Sequence, residues 1–467
     1  MNNPARSKTL GELRNSQYTP LNIRNELRNN LIRDLSQGIT TFPDVIGYDH
    51  TVLPQLQHAI LSGHDIILLG ERGQAKTRLL RSLTNLLDDY IPYIANCDIF
   101  DDPFNPICSR CQTLILEQGE QTTIDWLNKR DRYTEKLATP DVSIADLIGD
   151  IDPIKVAEGR YLSDEFTIHY GLIPRTNRGI FCINELPDLP ERIQVGMFNL
   201  MEERDIQIKG YKLHLPLDIL VVATANPEDY TNRGRIITPL KDRYGSQIRT
   251  HYPQSITEEI TIMEQESTRF PDSETIVSIP KYMKEIIAEF TASARKSSDI
   301  NQRSGVSARI SIANYETIIA SAMRRSVLHD DKHTSPRISD LGNLVISTSG
   351  KIELDTLEEG SEDKIIKGLI DRSVRTVFAA YFKPEEFEPL IQSFEAGLTL
   401  EAGPDHPSLE FVKAAPELEC VHDAFSKLEA EGHAGLQASA LEFVLEGLHL
   451  LQKVNRIASS GLRKYSS

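Results

Sequence analysis

Residues 65–77 read DIILLGERGQAKT, and the fold turns on this stretch. DIILLG is a short apolar run ending in Gly, the pattern of a buried parallel strand. The next residues are Gly70-Glu71-Arg72-Gly73-Gln74-Ala75-Lys76-Thr77, and RLLRSLTNLL follows as a helix over 78–87. Strand, loop and helix in this order match the phosphate-loop template G-x-x-x-x-G-K-[ST], with Ala75 where the second Gly is expected. The chemistry requires backbone N–H groups aimed at phosphate oxygens above a helix N-terminus. Lys76 would reach the β and γ phosphates, Thr77 would ligate Mg²⁺, and Arg72 and Arg78 flank the loop. Ala75 suits the loop if its φ is negative. The plainer alternative is a Gly-containing turn with a surface Lys.

Two further apolar runs complete a pattern of buried strands. Gly179-Ile180-Phe181-Cys182-Ile183 closes on Asn184-Glu185. A Walker B strand normally ends in Asp-Glu, the Asp holding Mg²⁺ largely through water and the Glu activating the attacking water. Here Asn184 offers an amide oxygen to a metal-bound water but no negative charge, so weaker Mg²⁺ affinity is expected. LDILVVATANP, residues 217–227, is a third strand, and its tip at Asn226 can orient water or read a γ phosphate. Asn226-Pro227 is also an ordinary turn signal. IQIKGYKLHLPL, residues 206–217, alternates about Gly210 like a hairpin. Strands alternating with helices imply a parallel sheet covered on both faces.

Beyond the strands lie two arginines of interest. Arg243, in Pro239-Leu240-Lys241-Asp242-Arg243-Tyr244, could reach a neighbouring subunit's γ phosphate as a finger. Its alternative is a surface ion pair with Asp242. Arg309, in Gly305-Val306-Ser307-Ala308-Arg309, opens a helix in a helical region and could fold a lid onto a nucleotide, or simply be an exposed first-turn Arg.

In sequence order these pieces resemble the AAA+ ATPases, and more narrowly the magnesium-chelatase ATPase subunit and the MoxR group. The resemblance covers about residues 41–350. Residues 171–179, Gly-Leu-Ile-Pro-Arg-Thr-Asn-Arg-Gly, are its most chelatase-like run. The resemblance implies an α/β parallel-sheet P-loop core, a helical lid and a mainly helical C-terminal region. The expected division is an N-terminal helical arm (1–40), the core (41–255), the lid (256–350) and an acidic C-terminal region (351–467). The core would carry an insertion at 96–137 and a helix-2 insertion at about 138–178. Val45, Ile46 and Gly47 would border adenine, and Gly70 through Arg78 would hold the phosphates of ATP. Thr77 and Asn184 would hold Mg²⁺, the latter through water. Glu185 would be the base, Asn226 sensor 1, Arg243 the finger and Arg309 sensor 2. A ring, of six subunits by resemblance, would couple hydrolysis to a partner, which in these systems commonly carries a von Willebrand A domain. The competing readings are a nucleotide-binding switch or scaffold with little turnover, motivated by Ala75 and Asn184, and a dedicated magnesium-porphyrin chelatase subunit.

Composition narrows the remaining possibilities. The 467 residues carry 51 Lys+Arg against 68 Asp+Glu, a net charge of −17. That balance argues against nucleic-acid binding by bulk electrostatics. Residues 351–467 hold 12 Lys+Arg and 21 Asp+Glu, so −9 of the −17 lies there, and the acidic surface could dock a basic partner. No stretch approaches the roughly 18–20 apolar residues of a membrane span. The N-terminal residues lack a signal-peptide core, and five cysteines do not suggest a disulfide framework, so the cytosol is expected. Cys97, Cys108 and Cys111 offer three thiols, whereas a closed zinc site takes four ligands. With no second Cys pair and no nearby His, reduced structural cysteines are the simpler reading and a zinc or redox-sensitive knuckle the alternative.

Overall fold

The computed structural model describes residues 7–151, 168–202, 215–226, 234–268, 276–301, 305–354, 361–459 and 462–467. They divide into two compact units, Met1–His251 and Tyr252–Ser467.

The first unit is built on five parallel strands in the order β4-β7-β8-β1-β9. They are β1 (Ile66–Leu69), β4 (Tyr133–Leu137), β7 (Gly179–Asn184), β8 (Ile219–Ala225) and β9 (Ser246–Arg249). Every residue of β7 and β8 is buried, because helices cover both faces and the apolar runs need no alternation. Successive side chains still point to opposite faces. Ile66, Leu68, Ile180, Cys182, Leu220 and Val222 enter one core, while Ile67, Phe181, Ile183, Val221 and Ala223 enter another. Burial pushes the Cys182 thiol up to about 12, in keeping with a small core residue.

The first core is covered by α2 (Ile23–Gln37), α3 (Val52–Leu61) and α4 (Lys76–Ser82). The segment expected as an N-terminal arm is therefore partly a wall of this unit. Asn22 caps α2 and Gly38, at φ 67°, ends it. Ile23, Leu27 and Leu31 are buried, and Glu26 forms a buried bidentate pair with Arg132 at 2.5–2.6 Å. Glu26 also accepts from the Asp88 N–H, and Arg132 donates to the Arg178 carbonyl.

The expected insertion at 96–137 requires correction, because it contains β4, an edge strand of the main sheet paired Tyr133↔Ile180 through Leu137↔Asn184. Its sequence, Tyr-Thr-Glu-Lys-Leu, lacks an apolar run because the strand is only partly buried. Ahead of it, α5 (Ser109–Gln118) lies between β2 (Tyr90–Ile94) and β3 (Ile124–Asn128), which form a separate antiparallel ribbon. Within the helix-2 segment a short helix (Ile144–Leu147) carries a Ser143/Asp146 capping box. Strands β5 (Gly149–Ile151) and β6 (Ile168–Tyr170) pair antiparallel beyond it. Residues 152–167 and most of the expected 206–217 hairpin lie outside the described residues.

The second unit has one hydrophobic core running from Met263 to Tyr465. The expected lid and C-terminal region contribute to it together. Helices Lys281–Ala294, Ala308–His329, Ser361–Tyr381 and Ala434–Leu450 are its main members. The last of these helices stops at Leu450, and Asn455–Ser459 forms a strand in a small antiparallel sheet with Leu400–Ala402 and Leu462–Ser466.

Candidate nucleotide site

The carboxyl ends of β1, β7, β8 and β9 meet in register. Leu69 faces Ala225 on one side and Arg249 on the other, and Ile183 faces Ala223. Gly70, Asn184, Glu185 and Asn226 are thereby gathered along one edge of the sheet, where open α/β sheets bind ligands.

Gly70 is fixed by its surroundings. A Cβ there would lie 1.8 Å from Thr250 Oγ1 and 2.3 Å from Gln74 Oε1. Gln74 braces the loop from within, its Oε1 accepting from Thr250 Oγ1 at 2.7 Å and from the Glu71 N–H at 3.1 Å. Gly73 turns the chain at φ 76°. Ala75 does not have the negative φ that its side chain favours: it stands at φ 54°, ψ 19°, in the left-handed region where the template has Gly. Lys76 is buried and its Nζ donates to the carbonyls of Gly70 and Glu71. Arg72 is exposed, and Arg78 donates to the Asp44 carbonyl at 3.4 Å.

Val45, Ile46 and Gly47 adjoin this loop through Tyr48. The Tyr48 hydroxyl lies 2.8 Å from the Gln74 carbonyl oxygen and 2.9 Å from that of His251. Burial pushes its pKa up to about 12, so it remains a neutral donor. Nothing in the residue types at 45–48 points to this tie.

Asn184 is a buried hub. Its Oδ1 accepts from Thr77 Oγ1 and Thr224 Oγ1, each at 3.3 Å. Its Nδ2 donates to Glu135 on β4, and Glu135 accepts from Arg81 Nε at 2.7 Å and Nη2 at 2.9 Å. Glu135 was missed in the sequence because it lies within the polar edge strand. An Asp at 184 would set two carboxylates side by side, whereas the amide offers Glu135 an N–H donor. Thr77 and Asn184 thus offer hard oxygens at a helix N-terminus with a carboxylate adjoining, a donor set that fits Mg²⁺. Glu185 follows at φ 55° and is half-buried, its N–H donating to Thr224 Oγ1 at 3.0 Å. Asn226 is buried, one residue beyond the Ala225 carbonyl that accepts the Gly70 N–H.

The two arginines have different settings. Arg243 ends the helix Thr238–Arg243 and pairs with Glu202 rather than Asp242, with its guanidinium 4.8 Å from the Phe198 ring centre. Arg309 belongs to the second unit, exposed in the first turn of a helix capped by Ser307. The chelatase-like run has a structural role. Asn177 Nδ2 donates to the Ile99 carbonyl and its Oδ1 accepts the Asp218 N–H. Arg178, at φ 62°, donates to the Pro92 carbonyl at 2.6 Å. A Cβ at Gly179 would meet the Arg132 carbonyl oxygen at 2.4 Å.

Fold and site define a P-loop protein of the AAA+ class. Sequence comparison narrows the class: the magnesium-chelatase subunit ChlI of Cyanidium caldarium is 25% identical over 276 residues, 54% of this chain and 68% of that protein. The ChlI of Guillardia theta is 24% identical over 234 residues, 47% of this chain and 61% of that protein. Among solved structures, the BchI–BchD complex of magnesium chelatase has a chain 18% identical, with a TM-score of 0.35, covering 69% of this chain and 99% of that one. No family profile matches the sequence. In its fold, its loop and its sequence relatives, the chain resembles the AAA+ proteins of the magnesium-chelatase ATPase-subunit and MoxR type. Among the described residues no helix is long and apolar enough to cross a membrane.

Proposed function

We propose that this chain binds and hydrolyses ATP as a ring-forming motor that remodels a partner protein or assists metal insertion. The observation that carries this reading is the Thr77–Asn184 contact, which joins the phosphate loop to the strand end bearing Glu185. In this reading the N–H groups of residues 70–77 and Lys76 hold the phosphates, and Val45, Ile46 and Gly47 border the adenine. Thr77 and Asn184 hold Mg²⁺, which when bound would offset charge on the β and γ phosphates. Glu185 accepts a proton from the attacking water, and Asn226 orients that water. Arg309 acts from the lid. Arg243 acts on a neighbouring subunit's ATP and must first leave Glu202. A partner with a von Willebrand A domain and a sixfold ring rest on the family resemblance, and a cytosolic setting rests on the cysteine usage.

Steady-state phosphate release, alone and with a candidate partner, tests the motor. Glu185→Gln is expected to keep ATP binding and to lose turnover by about 10²-fold or more; equal turnover removes Glu185 from the mechanism. In mixtures with wild-type subunits, Arg243→Ala subunits should depress turnover more than in proportion, and strict proportionality sinks the trans role. The second reading, a nucleotide switch with little turnover, is favoured by Ala75 at φ 54° and by the amide at 184. It wins if nucleotide binds and no phosphate is released under any of these conditions.

A further inference from the structure

Away from the phosphate loop, the loop after β2 and the start of α5 bring four side chains together. Cys97 and Asp101 lie on the loop, Cys108 caps α5 and Cys111 sits in its first turn. The three sulfurs and an Asp101 oxygen all lie within 4.8 Å of one another, and all four residues are buried. We propose that Cys97, Asp101, Cys108 and Cys111 form a closed, four-ligand site for a structural Zn²⁺. A zinc ion bound to thiolates at about 2.3 Å holds its sulfurs roughly 3.8 Å apart, so a small inward movement from the present arrangement completes a tetrahedron.

The carboxylate points to a cation independently of the thiols. Asp101 is 0% exposed, and one of its oxygens, Oδ2, accepts from the N–H groups of Ile107 at 3.2 Å and Cys108 at 3.0 Å. The other, Oδ1, is buried and has no hydrogen-bond partner among the described residues. A buried carboxylate oxygen left unpaired is costly, and a metal ion satisfies it.

The surroundings suit thiolates. The Asp101 N–H donates to Cys97 Sγ at 3.5 Å and the Cys111 N–H to Cys108 Sγ at 3.4 Å, an outer shell that steadies metal-bound sulfur. Cys108 and Cys111 also occupy the positive end of a ten-residue helix. Sulfur-rich and closed to solvent, the set selects Zn²⁺ over Mg²⁺ or Ca²⁺, and four protein ligands leave no open position for catalysis. The ion would pin the loop that accepts Asn177 at the Ile99 carbonyl, and so steady the turn leading into β7.

The test uses the full chain, purified under reducing conditions, stripped with a chelator and titrated with Zn²⁺ or Co²⁺ alone. One equivalent of Zn²⁺ should bind and protect three thiols from alkylation. Co²⁺ should give a thiolate charge-transfer band together with the strong visible absorption of a tetrahedral ion. Asp101→Asn should weaken Zn²⁺ binding roughly tenfold or more, and Cys108→Ser, with two thiolates left, should lower the intensity of the cobalt charge-transfer band. If the wild-type chain binds no Zn²⁺, or its thiols react at the same rate with and without the metal, the site does not exist. A Zn²⁺ affinity unchanged in Asp101→Asn overturns the four-ligand assignment. The wild-type measurements hold even if a variant fails to fold, and no readout involves a nucleotide.

Discussion

Ala75 carries a methyl group into a conformation that penalises it. A non-glycine residue in the left-handed region pays about 1–2 kcal/mol, while Gly loses about 0.5–1 kcal/mol more backbone entropy on folding. Ala75→Gly should therefore raise stability by about 0.5–1 kcal/mol, read as a higher urea midpoint at unchanged slope. A lower midpoint would show that Ala75 is unstrained. The Asn184–Glu135 contact makes a sharper prediction. Asn184→Asp alone should destabilise the chain by placing like charges together, and adding Glu135→Gln should restore much of the loss. A coupling energy of about 0.5–3 kcal/mol is expected from the double-mutant cycle, and additive effects would deny the interaction. Such features were hidden in the sequence for definite reasons. A loop template names the residue that fits best and does not reveal the φ that a substitute adopts. Asp101 is one acidic residue among 68, and its spacing from the three cysteines does not mark it as a ligand.

Among the elements, legibility followed burial. Strands β1, β7 and β8 are covered on both faces, so their apolar runs announced them and fixed the positions of Gly70, Glu185 and Asn226 at their ends. Strand β4 has the same sheet for a neighbour but only partial cover, and its polar sequence concealed both the strand and Glu135. Helix α2 was visible as a helix, yet its attachment was not, since the attachment is made by charge. Glu26 and Arg132 are both buried and far apart in sequence. Removing one partner from such a pair leaves an uncompensated buried charge, so Glu26→Ala should cost about 3–5 kcal/mol in chemical denaturation. A cost below about 1 kcal/mol, the range of an exposed pair, would mean that α2 is held by its apolar face alone.

At the scale of the whole chain, the boundary after residue 350 is the one with consequences. In the second unit Tyr282 stacks on Phe443 at 4.5 Å between ring centres and donates to Ser439 Oγ at 2.6 Å. Ile286, Ile287 and Phe290, on the same helix, share a core with Ile366, Val374 and Phe378. A chain ended at residue 350 would expose all of these, and each fully buried large apolar side chain is worth about 1.5–3 kcal/mol. The loss over several such residues matches or exceeds the total stability of an ordinary domain. Residues 252–467 should therefore unfold cooperatively when expressed alone, whereas residues 252–350 should lack a thermal transition by near-ultraviolet circular dichroism and be rapidly digested by protease. A protease-resistant, cooperatively melting 252–350 fragment would instead establish a self-sufficient helical lid, with the C-terminal region as a separate addition to it.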